Sequence, residues 1–245
     1  LFGCRPQNAQ LQLSLLEAYR QEVKDMLDGK IVLFKALGKE IRSAKYETSY
    51  SSWVYEKPLE VTALEESIDE CISVELEALA AEKQAVLNDD LAREQFKEAT
   101  RLMVGNHQRQ FDQLQAWAKA KIAYLETKEQ IHNSEEAKEQ LNLLEAYNLA
   151  KAAMAEASIT SLKSLGAKIL ARRHQSQYSS WKYEKPEAVT ALETTIDQLW
   201  AEQATKSTAK QLVLEDDLAR ELYAEDTRLM AEQHSQVGPR ESATE

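Results

Sequence analysis

The chain has few turn-forming residues, with only 6 glycines and 4 prolines among its 245 residues. An all-β fold needs many tight turns, and these turns depend on the backbone angles that Gly and Pro supply. The chain is nevertheless 43% hydrophobic and 29% charged, which is enough apolar material for a substantial core. The composition therefore predicts an all-α protein.

Long apolar runs and an excess of basic charge are also lacking. No stretch approaches the roughly 18 to 20 uncharged apolar residues that a membrane-spanning helix requires. The formal net charge is −11, whereas nucleic acids and anionic membranes both attract clustered Lys and Arg. We therefore expect no nucleic-acid partner and no direct membrane binding.

Cysteine is scarce, because Cys4 and Cys71 are the two in the chain. They stand far apart in the sequence, which is typical of a reducing compartment rather than of a disulfide-stabilised domain. We expect a cytoplasmic protein. Cys71 stands beside Ile68 and Ile72, where a small buried hydrophobic residue is the usual finding.

The chain contains an internal duplication. The sequence YSSWVYEKPLEVTALE at Tyr50 to Glu65 recurs as YSSWKYEKPEAVTALE at Tyr178 to Glu193, with 13 of 16 positions identical at an offset of 128. After one deleted residue the offset becomes 127, which relates DDLARE at Asp89 to the same motif at Asp216. The similarity spans nearly a full unit, so a repeated architecture is expected.

The apolar residues of each unit follow helical spacing. In the first unit they predict one long helix whose seam packs in a bundle or coiled coil. The seam residues are Leu13, Leu16, Val23, Leu27, Phe34, Leu37 and Ile41. The second unit has Lys151, Ala155 and Ser158 in the middle of this seam, so we expect looser packing there, around Tyr147 and Met154.

A connector rich in Ser, Tyr and Trp follows the first helix in each unit and leads to Pro58 or Pro186. Proline is well tolerated in the first turn of a helix, so a new helix is predicted at each proline. The next apolar series predicts a nearly continuous helix from Pro58 to about Ile131, with a stutter between Ile68 and Leu79. Residues 132–136 then supply a turn and another helix start.

The pattern resembles the spectrin-repeat superfamily, and most closely the central rod of alpha-actinin-like proteins. The resemblance depends on Phe111, Leu114 and Trp117 in the first helix of a repeat, on two long following helices, and on the uninterrupted junction near Gly105. It implies two tandem three-helix coiled-coil repeats joined by a long continuous helix. The implied boundaries are 1–105, with its first helix missing, 106–237, and a disordered tail at 238–245.

The resemblance also implies a function. Rods of this family separate actin-binding heads and form antiparallel dimers that cross-link actin filaments. We therefore expect a structural spacer and dimerisation module of the cytoskeleton, which forms a homodimer and reaches F-actin through domains outside this chain. The two unpaired helices of the first unit leave an apolar groove, and its seam residues are the predicted dimer surface.

No catalytic or cofactor-binding motif is recognisable. The histidines fit no recognised metal motif, the Asp89-Asp90 and Asp216-Asp217 pairs lack an EF-hand loop, and the phosphate-binding and nucleophile-elbow motifs do not occur. We expect surface histidines and solvated aspartates. The sequence thus predicts no enzyme, no metal and no cofactor.

The aromatic residues divide into two groups. Trp117 and Trp200 stand at helical spacing among Leu and Ile, which favours core positions together with Phe111 and Leu114. The connector aromatics either pin the connectors onto the bundle or form exposed sites for a partner protein. These connector residues are Trp53, Tyr55, Trp181 and Tyr183.

Two alternative functions remain open. One is a docking scaffold for signalling or adhesion proteins, which would act through the connector tryptophans. The other is a membrane-binding helical dimer of the BAR type, which needs a basic concave face that a net charge of −11 disfavours.

Overall fold

The computed structural model describes residues 5–237 and shows an all-α protein. The described residues are 84% helical and form four long packed helices. The predicted all-α class is confirmed, whereas the finer assignment to two tandem spectrin-like repeats stays a prediction. Cys4 and the predicted tail, 238–245, lie outside the described residues.

The described residues form two compact units. Unit 1 contains residues 5–99 and the segment Arg173–Lys182, and unit 2 contains Thr100–Arg172 and residues 183–237. The long helix α4, Glu77–Glu126, belongs to unit 1 up to Ala99 and to unit 2 from Thr100 onward. Gly105 does not interrupt this helix, because one helical glycine costs only about 1 kcal/mol relative to Ala.

Unit 1 has two long helical segments. The first runs through α1 (Arg5–Met26), a π-helical segment (Leu27–Ile31) and α2 (Val32–Ser43). The second runs through α3 (Pro58–Asp69), a π-helical segment (Glu70–Leu76) and α4. Pro58 lies in the first turn of α3, as predicted, where its missing N–H would be unpaired in any case.

Unit 2 has three helical segments. The first is α4 from Thr100, and the second runs through α5 (Ser134–Met154), a π-helical segment (Ala155–Ile159) and α6 (Thr160–Leu170). The third is α7 (Pro186–Val237). The predicted helix start after His132 is confirmed, because Asn133 caps α5 by accepting a 2.8 Å bond from the Glu136 N–H. Helix α4 ends at Glu126, slightly before the predicted end near Ile131.

Both connectors form antiparallel β-hairpins, which the sequence analysis did not predict. In the first hairpin, β1 (Lys45–Glu47) pairs with β2 (Ser52–Val54), and Tyr46 lies opposite Trp53. In the second, β3 (Arg173–Gln175) pairs with β4 (Ser180–Lys182), and His174 lies opposite Trp181.

The turn of each hairpin is closed by a hydroxyl group. Thr48 Oγ1 accepts bonds from the N–H groups of Tyr50 and Ser51, and Ser176 Oγ accepts the equivalent bonds from Tyr178 and Ser179. Such side-chain to backbone bonds favour turns over continued helix.

The π-helical segments follow the duplication. Leu27–Ile31 and Ala155–Ile159 are equivalent at the offset of 128. Glu70–Leu76 has no counterpart in α7, and it coincides with the predicted stutter and with the region where the offset falls to 127. Because a π-helical turn takes one more residue than an α-helical turn, this segment accommodates the extra residue of the first copy.

The cores of the two units differ in size. Unit 2 has two buried clusters: Phe111, Leu114, Ile159, Leu162 and Ile196 in one, and Leu125, Leu144, Tyr147 and Leu214 in the other. Within the described part of unit 1, the buried hydrophobic residues are Ala9, Ala80 and Leu87. Unit 2 therefore has the larger apolar core.

Candidate interaction surfaces

The two units expose equivalent apolar positions to different extents. Tyr19 is 39% exposed in unit 1, whereas its repeat equivalent Tyr147 is 5% exposed in unit 2. Phe34 is 37% exposed, whereas Leu162 at the equivalent position is fully buried. In unit 2 these positions are covered by α4, through Phe111, Leu114 and Leu125. We call the uncovered surface of unit 1 the open face and define it by Tyr19, Phe34, Leu37 and Leu64.

The predicted groove residues are distributed over this region. Phe34 and Leu37 are exposed, with Leu37 at 56%. The remaining predicted groove residues are half-buried: Leu13, Leu16, Val23, Leu27 and Ile41. The seam of α1 and α2 is thus partly covered within unit 1 and partly open.

A duplicated glycine–glutamate contact lies beside the open face. A Cβ at Gly38 would overlap Glu65 Oε1, and a Cβ at Gly166 would overlap Glu193 Oε1. Glycine at these two positions therefore lets a carboxylate from the next helical segment pack against the helix backbone. The sequence pattern did not predict this contact.

The two glutamates differ in their partners. His107, which is 1% exposed, donates from Nε2 to Glu193 Oε1 at 3.3 Å. In unit 1, Arg42 donates to Glu65 Oε2 at 2.6 Å, but Glu65 Oε1 is buried and has no hydrogen-bond partner among the described residues. The prediction of surface histidines is wrong for His107, because this side chain holds α4 against the glutamate of α7.

Lys210 marks the other end of the covered face in unit 2. Its Nζ donates to the carbonyl oxygens of Tyr124 and Thr127 at 3.2 and 2.8 Å, and to Glu129 at 2.7 Å. These bonds satisfy carbonyl groups at the C-terminus of α4, where a cation is favourable. The repeat equivalent in unit 1, Lys83, is exposed.

The second hairpin packs on α4 within unit 1. The Trp181 ring meets the Phe96 ring edge to face, with centroids 5.9 Å apart. The centroid of the His174 ring lies 5.9 Å from the centroid of the Phe96 ring, and His174 Nε2 is 3.2 Å from Asp89 Oδ1. Ser179 Oγ donates to Asp89 Oδ2. The prediction of a solvated aspartate is therefore wrong for Asp89, which is a hairpin-binding residue.

Hydrogen bonds alter the acidity of Asp89. The bonds from Ser179 and Ser176 lower the pKa of its carboxyl group, burial opposes this effect, and His174 lowers the pKa further. The second hairpin thus favours the ionised carboxylate. Asp217 is also buried rather than solvated, and it accepts a bond from Arg220 at 2.5 Å.

The first hairpin is more exposed than the second. Trp53 and Tyr46 are 50% and 57% exposed, and Tyr50 at the turn is 97% exposed. Trp181 is half-buried against Phe96. Tyr55 and Tyr183, the other predicted connector residues, are half-buried, and burial raises the pKa of Tyr183.

Trp117 and Trp200 lie at the core of unit 2. Their rings stack with centroids 5.3 Å apart, and both rings are partly buried against the apolar clusters. Trp117 also stacks on Tyr147 at 6.4 Å. Burial raises the pKa of the Tyr147 hydroxyl to about 12, with a smaller contribution from Tyr124.

The described part of unit 2 has surface pockets, of which a pair is informative. One, of about 270 Å³, is lined by Gln110, Met154, Ala157 and Ser158 among others, where looser packing was predicted. The other, of about 260 Å³, is lined by Leu125, Lys206 and Lys210 among others, and the bonds of Lys210 to the end of α4 explain its polar part.

The described residues also bear on metal sites, membrane spans and cysteine burial. No group of three His, Cys, Asp or Glu residues in this part of the chain could hold a metal ion. Its helices include none that is both long and apolar enough to cross a membrane. Cys71, in the π-helical segment Glu70–Leu76, is exposed rather than buried as expected.

Comparisons with known proteins found no matching family model, no matching curated protein and no matching solved structure. The resemblance to spectrin repeats therefore stays a hypothesis, and the structure gives the coarser description of an all-helical protein with long packed helices.

Proposed function

We propose that this chain is a structural module that joins two polypeptides by accepting a third helix on the open face of unit 1. The observation that carries the proposal is the difference between equivalent positions, since Leu162 is fully buried beneath α4 whereas Phe34 is 37% exposed. Burying a large apolar side chain contributes about 1.5–3 kcal/mol, so covering this face is favourable.

Unit 2 indicates which kind of helix would fit. Its covering helix supplies Phe111 and Leu114 to the core, and His107 to a glutamate. Glu65 Oε1 and the exposed Lys83 would offer a helix on unit 1 the same two polar contacts. The fitting partner is thus an amphipathic helix with a hydrogen-bond donor near one end.

We further propose that a second copy of the chain supplies this helix, in an antiparallel homodimer. A two-fold arrangement uses the same surface on both copies, so both open faces are covered at once. Together with the resemblance to alpha-actinin-like rods, this favours a spacer and dimerisation module of an actin cross-linking protein in the cytoplasmic cytoskeleton, with F-actin bound by other domains.

Sedimentation equilibrium tests the dimer. At concentrations too low for further association, we expect a mass of twice 27.8 kDa for the chain, and Phe34→Glu and Leu37→Glu should each lower this mass, because a charge would be buried in the interface. Leu33→Glu is the matched control, since Leu33 is 71% exposed and its equivalent Ser161 is also exposed in unit 2. A wild-type monomer at all concentrations would refute the dimer, as would equal effects of Phe34→Glu and Leu33→Glu.

The exposure of Trp53 favours a second candidate function, which is docking of another protein through the first hairpin. Trp and Tyr are enriched among residues that dominate binding energy, and Tyr46 lies opposite Trp53 in the hairpin. Binding that is lost in Trp53→Ala but retained in Tyr50→Ala would support this function.

A further inference from the structure

The contact between the second hairpin and α4 has defined chemistry. In the first part of the contact, Asp89 accepts a hydrogen bond from the Ser179 hydroxyl. In the second part, Phe96, seven positions after Asp89, packs on the ring of Trp181. Seven residues are about two helical turns, so Asp89 and Phe96 lie on the same side of the helix.

Both halves of this contact are duplicated in the sequence. At the offset of 127, α7 carries Asp216 in place of Asp89 and Tyr223 in place of Phe96. At the offset of 128, the first hairpin carries Ser51 in place of Ser179 and Trp53 in place of Trp181. The serine, tryptophan and aspartate are thus identical in the two repeats of the chain, and the fourth position is aromatic in both.

Both duplicated halves are accessible. Asp216 is exposed and Tyr223 is 75% exposed, although Tyr223 is a large aromatic residue on a helix that buries its other side. On the first hairpin, Trp53 is 50% exposed and Ser51 is exposed. One chain therefore presents both a hairpin and a helix surface of the kind that binds such a hairpin.

We propose that the first hairpin of one copy docks on Asp216 and Tyr223 of a second copy. Ser51 Oγ donates to the Asp216 carboxylate, and the Trp53 ring packs on the Tyr223 ring, with Tyr46 in the place that His174 occupies beside Phe96. A second copy is the partner because this chain carries both complementary surfaces, and because unit 1 already contains the same contact between two of its own segments.

The geometry of this contact predicts how copies assemble. The two surfaces differ from each other, so the contact is heterologous, and a joined pair of chains keeps one unused hairpin and one unused helix surface. Copies therefore add head to tail, beyond the two copies that the open face can join. This contact is separate from the proposed open-face dimer and does not depend on it.

Sedimentation velocity over a concentration series tests the contact. We expect the average mass of the wild-type chain to rise beyond two copies with concentration, and Trp53→Ala and Tyr223→Ala each to weaken this growth about tenfold or more, as loss of a dominant aromatic contact does. Tyr50→Ala is the matched control, because this 97% exposed tyrosine lies in the same hairpin at a position whose equivalent, Tyr178, is also exposed. It should grow as the wild type does.

A mixing experiment distinguishes this contact from other kinds of association. With Phe34→Glu added to both partners, Trp53→Ala retains its helix surface and Tyr223→Ala retains its hairpin. Neither variant should associate when it is alone, and an equimolar mixture should form a complex of two chains. Circular dichroism confirms that each variant keeps its helix content.

The possible results separate the two proposals. Growth beyond two copies that Trp53→Ala abolishes supports the hairpin contact, even if Phe34→Glu has no effect and the open-face dimer fails. A wild-type mass that stops at one or two copies up to the solubility limit overturns the hairpin contact. So does growth that Trp53→Ala and Tyr50→Ala alter equally, or a mixture that stays monomeric.

Discussion

His107 Nε2 lies 3.3 Å from Glu193 Oε1 in unit 2, and this bond has no equivalent at Glu65 in unit 1. We expect His107→Leu to destabilise unit 2 by about 1–3 kcal/mol, because it leaves the Oε1 atom packed against Gly166 without a donor. Urea unfolding followed by circular dichroism measures the change. His234→Leu is the control, since this repeat equivalent is exposed, and equal small effects at both sites would contradict the role of His107.

The Tyr147 hydroxyl is buried in unit 2 and has no hydrogen-bond partner among the described residues. Removing it should therefore stabilise the protein, and we expect Tyr147→Phe to gain about 1 kcal/mol in the free energy of unfolding. Tyr19→Phe should change little, because Tyr19 is its exposed equivalent. A clear loss of stability in Tyr147→Phe would mean that this hydroxyl has a favourable partner.

The same tyrosine gives a spectroscopic prediction. Burial raises the pKa of Tyr147 to about 12, so its phenol should stay neutral through the range in which exposed tyrosines ionise, near pH 10. Absorbance at alkaline pH should show a late ionisation step that is missing in Tyr147→Phe. An unchanged titration curve in this variant would contradict the assignment.

The second hairpin should detach in acid. The folded protein lowers the pKa of Asp89 below its usual value of 3.8, so the ionised form stabilises the contact above that pH, and this stability is lost as the pH falls through the lowered pKa. The indole N–H resonance of Trp181 reports the change by NMR. In Asp89→Asn this acid transition should disappear, whereas Asp90→Asn should retain it.

The π-helical segment Glu70–Leu76 should tolerate the loss of one residue. Deleting the exposed Ser73 turns it into regular α-helix and keeps the register of the residues that follow. We expect little change in melting temperature. Deleting Ala201 from the regular helix α7 instead rotates all later residues by about 100° and moves the buried Leu214 out of the core, which should lower stability strongly. Similar losses in both deletions would refute this account of the π segment.

Much of the helical organisation was predictable because its signal is periodic. Apolar spacing predicted the long helices, and Pro58 and Asn133 mark helix starts through local chemistry that needs no tertiary partner. The hairpins were missed, because strands of three residues are too short to show alternation. The turn hydroxyls of Thr48 and Ser176 were the available signal.

The polar contacts were harder to predict than the apolar seam. His107 and Glu193 are 86 residues apart in sequence, and Asp89 and Ser179 are 90 apart, so no local pattern joins them. The duplication was the usable signal. Gly38 and Gly166 stand at equivalent positions, and so do Glu65 and Glu193, so a contact found in one repeat is expected in the other.

The extra residue in Glu70–Leu76 constrains any exchange of segments between the two sequence repeats of the chain. A chimaera that joins one copy to the other before Asp69 or after Lys83 keeps each helix in phase, provided that the whole intervening stretch comes from a single parent. A crossover inside that stretch changes the residue count and turns every downstream side chain away from its neighbours. The change of offset from 128 to 127 therefore marks the stretch within which a crossover between the repeats shifts the helical phase of all later residues, whereas a crossover outside it preserves that phase.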